Sequence, residues 1–200
     1  MKVLILYAHP NPLSFNQAIL QRVQSTLEAR GHEFRTLDLY QRDDKLRLDG
    51  ADLAAIKSGE TPADIRERQA EVLWADALVF IYPVWWFGMP AILKGWIDRV
   101  FQEGFAFRFS HEGMSGLLGP RSALVIHTTG GDLKAHEDMN GLELLSRPLL
   151  EGVLGFCGLE PVHYLPLFGV PIVGRAEREH MLEQVEAITL RLAQAESPGH

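Results

Sequence analysis

Lys2-Val3-Leu4-Ile5-Leu6-Tyr7-Ala8 is a continuous apolar, β-branched run that passes through His9-Pro10-Asn11-Pro12-Leu13-Ser14 into Phe15-Asn16 and a new periodicity. A strand that reads apolar throughout, rather than alternating, is one covered on both faces in a parallel sheet. Beyond it Phe15, Ile19, Val23 and Leu27 recur every four residues, Ser14 and Gln17 form a capping box, and Gly31 follows Arg30 as a C′ residue. That spacing predicts a helix over residues 15 to 30.

The same alternation continues along the chain. Glu33 to Leu39 reads as a short edge strand, and residues 41 to 60 as a polar loop with one short helix. Thr61-Pro62 supplies an N-cap and a Pro at N1 for a helix ending near Trp74. Ala77 to Tyr82 is the most apolar strand and belongs at the centre of the sheet. Pro90 begins another helix, Phe105 to Phe109 alternates as a small extended excursion, and Ser122 to Thr129 is the next buried strand. A helix over about 139 to 156 with a kink or restart at Pro148, a strand over Val162 to Leu167 and a helix from Arg175 to about Ala195 complete the pattern. Strands alternating with helices imply an α/β fold, a doubly wound, five-stranded parallel sheet with order 2-1-3-4-5 and helices on both faces. Ligands in such sheets bind beyond the carboxyl ends of the strands that flank the switch point, here the first and third.

Composition bounds the function. Two hundred residues with 46% hydrophobic and 22% charged side chains fit one domain, residues 1–200. A net charge of −7, with no basic run, excludes nonspecific binding to nucleic acid or anionic lipid. The lone Cys157 suits a reducing, cytoplasmic setting, and no targeting or membrane-spanning segment is visible.

Three loops converge on the predicted sheet edge. The first, His9 with Ser14, Phe15 and Asn16, meets a helix N-terminus whose free amides suit a phosphate, with His9 as a further donor; taken alone, Ser14 merely caps its helix. The second, Pro83-Val84-Trp85-Trp86-Phe87-Gly88-Met89-Pro90, exposes aromatics that could wall a planar ligand or pack under a neighbouring loop. The third, Thr128-Thr129-Gly130-Gly131, offers hydroxyls and open backbone; its glycines alone read as a turn needing positive φ. Together they describe a site for a phosphate, a polyol and a flat heterocycle, which a flavin nucleotide satisfies. No G-x-G-x-x-G or Walker A motif is present, so a pyridine nucleotide has to share that cleft.

On these stretches, with Ala91-Ile92-Leu93-Lys94-Gly95-Trp96 and Phe156-Cys157-Gly158, the chain resembles the flavodoxin-like NAD(P)H:quinone oxidoreductases over residues 2 to 192, a family that includes accessory flavoproteins of potassium efflux. The resemblance implies a flavin, FAD with FMN as the alternative, reduced by NAD(P)H and reoxidised by a quinone-like acceptor in two hydride-transfer steps. It places His9, Ser14, Phe15 and Asn16 at the flavin phosphates. Pro83, Val84, Trp85, Trp86 and Phe87, with Thr128, Thr129, Gly130 and Gly131, frame the ring. His136 is the catalytic residue near the flavin, and the substrate pocket comprises Trp86, Phe87, Phe107, Phe109 and His136. It also implies a homodimer, with Phe105 to Phe109 or the segment near Phe168 completing the partner's cleft. Two features depart from animal quinone reductases: the loop from Gly131 to His136 is shorter and lacks their tyrosine, and Phe107 and Phe109 replace two tyrosines. Other classes compatible with the sequence are a regulatory subunit of a potassium-efflux transporter in the membrane and a one-electron, flavodoxin-like carrier.

Overall fold

The computed structural model describes residues 1–194. These residues form seven strands and seven α-helices: β1 (Lys2–Tyr7), α1 (Phe15–Ala29), β2 (Glu33–Asp38), α2 (Gly50–Lys57), α3 (Ala63–Trp74), β3 (Ala77–Pro83), α4 (Ala91–Val100), β4 (Phe107–Ser110), β5 (Gly113–Gly116), β6 (Ser122–Thr128), α5 (Leu133–Asp138), α6 (Gly141–Leu149), β7 (Val162–Leu167) and α7 (Arg175–Gln194). Five strands form a parallel sheet in the order β2-β1-β3-β6-β7, which is the expected 2-1-3-4-5 once the β4-β5 hairpin is set aside. Every residue of β3 and β6 is buried, as their unbroken apolar runs require.

Alternate residues of β1 feed two separate cores. Val3, Ile5 and Tyr7 pack with Ile19 and Val23 of α1 and Met181 and Val185 of α7. Leu4 and Leu6 pack with Val72 of α3, Leu93 and Trp96 of α4, and Leu149 of α6. The period of two along the strand thus assigns helices to layers.

Several local expectations change. Ser14 Oγ accepts from the Gln17 amide, but the reciprocal half of the capping box is missing. Gly31, at φ 70°, closes α1 as expected, its amide donating to Glu28 and that of His32 to Leu27. Pro62 and Pro90 occupy the N-cap positions of α3 and α4 with extended ψ, one residue before the helices begin, so Thr61 is not a cap. The excursion at Phe105 to Phe109 is a hairpin whose first strand starts only at Phe107. The helix expected over 139 to 156 is two pieces: α6, entered after Asn140 turns the chain at φ 51°, then a π-helical segment over Leu150–Gly155; α5, just ahead of it, falls where no element is expected. Pro148 sits inside the last turn of α6, and the winding changes two residues after it, at Leu150. The expected end of the last helix at Ala195 lies outside the described residues.

One polar pair bridges β6 and β7. His127 of β6 is fully buried, and its Nε2 meets the Tyr164 hydroxyl at 2.5 Å. Burial first, and the nearby His136 second, hold its pKa at about 4. An unfolded His titrates near 6.5, so the unfolded chain binds the extra proton first as pH falls. The stability His127 contributes is complete above about pH 6.5 and declines as pH drops toward 4. In His127→Leu, followed by urea unfolding across that window, we expect a shallower loss with acid than in the parent protein; an unchanged slope contradicts the assignment.

Candidate functional site

The carboxyl ends of β1, β3 and β6 bring the three loops to one rim, and hydrogen bonds tie them to one another. Asn16, buried on the first turn of α1, donates from Nδ2 to Thr128 Oγ1 at 2.8 Å. The Thr128 carbonyl in turn accepts from the Val84 amide at 2.8 Å. The rings of His9 and Trp85 lie 6.4 Å apart. A single string, Asn16 to Thr128 to Val84, therefore fixes the first turn of α1 against the other two loops. The Asn16 Oδ1 is buried with no partner.

In the first loop His9 Nδ1 accepts from the Asn11 amide at 3.0 Å, and burial lowers the His9 pKa. His9 is thus neutral with its proton on Nε2; it offers a hydrogen-bond donor rather than the positive charge that protonation would give. Ser14 Oγ accepts from Gln17 at 3.2 Å and lies 3.4 Å from the Tyr7 hydroxyl. Its cap thus exists, and when the Tyr7 hydroxyl is the donor of that contact the Ser14 proton is left for a further acceptor. The amides of Phe15 and Asn16 have no hydrogen bond among the described residues, as first-turn donors of a helix must unless a ligand takes them.

The second loop is a two-residue turn closed by paired bonds, Trp85 amide to Gly88 carbonyl at 3.0 Å and Gly88 amide to Trp85 carbonyl at 3.1 Å. Trp86 and Phe87 occupy its centre at φ 52° and 58°. That geometry belongs to Asn-Gly turns, and it costs bulky residues on the order of 1 to 3 kcal/mol each. Trp86 gains nothing in packing for this strain, since 99% of its surface is exposed. We expect Trp86→Gly to stabilise the ligand-free protein by about 1 kcal/mol, the relieved strain exceeding the roughly 0.5–1 kcal/mol of added chain entropy. Thermal unfolding reads this as a rise of about 2–4 °C; a lower midpoint contradicts the strain.

In the third loop neither Gly130 nor Gly131 has positive φ, so the simple turn expectation does not explain them. Gly131 is instead a position of close approach: a Cβ there would lie 3.0 Å from Cε1 of His136, so a side chain would press on that ring. The hydroxyls of this loop are largely spent. Thr128 Oγ1 accepts from Asn16, while Thr129 Oγ1 donates to the Gly131 carbonyl at 2.7 Å and accepts from the Gly169 amide at 3.3 Å.

His136, buried on α5, faces Phe87 edge-on at 6.0 Å and Phe168 at 5.4 Å. Its Nδ1 lies 2.7 Å from the Asp132 carbonyl, which can only accept, so Nδ1 carries the proton. Nε2 has no partner among the described residues, and it is the atom whose protonation can change. Trp86, Phe87 and His136 are therefore grouped at the rim, and Phe168 joins its own chain's His136. Phe107 and Phe109 form a different aromatic group. They pack on each other at 5.5 Å and on Phe156 at 5.2 and 6.3 Å, with Phe109 59% exposed. Sequence reasoning gave no sign of the Asn16 to Thr128 bond or of Phe168 as a neighbour of His136 in the same chain. No group of ligating side chains suited to a metal ion occurs among the described residues.

Comparison with known proteins agrees with this geometry. A family model described as a flavodoxin-like fold matches residues 1–190. A Haemophilus influenzae protein named as an uncharacterized NAD(P)H oxidoreductase is 32% identical, with 92% of this chain and 91% of the relative covered. The human ribosyldihydronicotinamide dehydrogenase [quinone] is 34% identical over 90% of this chain and 87% of its own. Among solved structures, the NAD(P)H:quinone oxidoreductase of Methanothermobacter marburgensis superposes with a TM-score of 0.86 at 30% identity, covering 96% and 97% of the two chains.

Proposed function

The chain belongs to the flavodoxin-like family, and from that membership and the tied rim we infer that it is an enzyme, a flavin-dependent NAD(P)H:quinone oxidoreductase. The observation that carries the reading is the string from Asn16 through Thr128 to Val84, which holds an anion-binding helix end, an aromatic turn and a backbone-rich loop in fixed register.

The residues fit a flavin nucleotide. The free Phe15 and Asn16 amides, the His9 Nε2 proton and the Ser14 hydroxyl proton would hold its phosphates at the positive end of α1. The strained Trp85-Trp86-Phe87 turn, with Pro83 and Val84, and the Gly130 and Gly131 backbone would line the ring, while Thr128 and Thr129 act mainly by holding neighbours in place. A bound flavin supplies a two-electron relay, accepting a hydride from NAD(P)H and delivering the reducing equivalents to a quinone that replaces the nicotinamide in the same cleft. The protein orients the reactants and manages protons. Reduction of a quinone by a hydride leaves an oxyanion that must gain a proton, and His136 Nε2 is placed to carry it, while Asp132 keeps Nδ1 protonated and the ring in position.

FAD rather than FMN is our assignment, because Trp85, 43% exposed beside His9, offers a flat apolar surface next to the phosphate end that an adenine would cover. Mass spectrometry of the cofactor released by acid tests it: FAD is expected, and FMN alone overturns it. We further propose a homodimer in which Phe107 and Phe109, which pack on Phe156, complete the partner's cleft. The single Cys157, buried with its thiol pushed up to about 11, is inert and suits a reducing cytoplasm. No helix among the described residues is long and apolar enough to cross a membrane. The transporter-subunit and one-electron-carrier readings gain nothing from relatives named as oxidoreductases.

A further inference from the structure

A cavity of about 250 Å³ lies beside the rim between the Phe87 turn, the start of α4 and α6. Its lining is apolar: Phe87, Met89, Leu144, Leu145, Pro148 and Leu149. Lys94 stands at its edge with its ammonium spent on Asp98 at 2.6 Å, so the cavity presents no free charge. One polar group interrupts the apolar wall. Tyr82 is 2% exposed, its hydroxyl makes no hydrogen bond among the described residues, and yet that oxygen is not sealed like the buried unpaired atoms of Asn16 and His127. The cavity is the opening that Tyr82 lines, so the accessible part of the phenol faces it. Burial, with Tyr164 nearby, raises the Tyr82 pKa, which keeps the hydroxyl protonated and able to donate.

We propose that this cavity is a binding site for a small neutral apolar molecule with one carbonyl oxygen, which accepts from the Tyr82 hydroxyl. An apolar occupant without an acceptor would strand the phenol in a dry site, and an anion would find no unpaired cation to offset its desolvation. The volume is below the roughly 300–1,000 Å³ of sites for drug-sized ligands, so the occupant is fragment-sized. Unbranched Met89 lets the wall adjust to its shape. Phe87 connects the site to the cleft, because the ring that forms one wall here also meets His136.

The test is a titration of the purified protein, with whatever cofactor it carries, using 1-indanone and its hydrocarbon counterpart indane, read by the methyl resonance of Met89 in methionine-labelled protein. Indanone should shift Met89 and leave Met114 and Met181 in place. It should bind roughly 2- to 10-fold more tightly than indane, the range of one net hydrogen bond. Tyr82→Phe should abolish that preference, and Leu144→Glu, a change at an exposed position on the mouth, should weaken both ligands. An unmoved Met89, equal affinity for the two compounds, or a preference that survives Tyr82→Phe overturns the proposal. The readout does not depend on hydride transfer, so it fails or succeeds separately from the flavin assignment.

Discussion

In His136→Gln, turnover with NAD(P)H and a quinone is expected to fall by about 100-fold or more, with flavin content unchanged. The expectation follows from geometry. The Asp132 carbonyl fixes the proton on Nδ1, which leaves Nε2 as the one position of the ring where a proton can arrive and leave. Gln preserves polarity and approximate size but cannot carry a proton between solvent and acceptor, and positioned acid–base groups typically contribute 10²- to 10⁴-fold. Cofactor binding rests on α1, the aromatic turn and the glycine loop, so it should survive the change. Steady-state rates normalised to flavin absorbance decide the matter. A loss below threefold removes His136 from the proton path, and a colourless variant makes it a cofactor ligand instead.

The second large effect concerns stability. Arg99, near the far end of α4, is 5% exposed and makes a two-pronged pair with buried Asp52, both bonds at 3.0 Å. It also donates to Asp64 at 2.7 Å and to the Lys45 carbonyl. These bonds fasten α2 and the polar segment before it onto α3 and α4. Arg99→Leu leaves the Asp52 carboxylate buried with Lys45 as its remaining cation, and breaking such a pair costs about 3–5 kcal/mol. For a chain of this size the unfolding midpoint should drop on the order of 10 °C. Arg99 holds the Asp52 pKa at about 2, below its unfolded value near 3.8. The contribution of the pair is therefore complete above about pH 4 and is lost as pH falls toward 2, and the difference between parent and variant should shrink over that interval. A midpoint change under 3 °C at neutral pH would show that Lys45 alone suffices.

These two sites also show what a single sequence reveals. Strand and helix periodicities act over neighbours in the chain, so β1, β3, β6, the cap at Ser14 and the closing Gly31 are legible, and with them the sheet order and the rim. Contacts between distant residues leave no periodic trace. Asn16 and Thr128 are 112 positions apart and Arg99 and Asp52 are 47 apart, and nothing local marks either pair. Six-residue α5 is too short to display a period, so the expected helix begins only at residue 139, where α5 has already ended. The positive φ of Trp86 and Phe87 contradicts local preference outright, which is where a binding site departs from what its residues favour alone. The alternation at Phe105 to Phe109 makes an extended segment legible, but the packing of Phe107 and Phe109 on Phe156, some fifty positions on, leaves no local trace.

The most direct test of the central claim is anaerobic rapid mixing of the purified protein with NADH or NADPH, watched at the flavin absorbance band, followed by a quinone. The account predicts one flavin per chain, bleaching by at least one of the two nucleotides, and recovery of the band when quinone is added. A protein that neither carries nor takes up flavin, or a bound flavin that keeps its colour with both nucleotides, would contradict it.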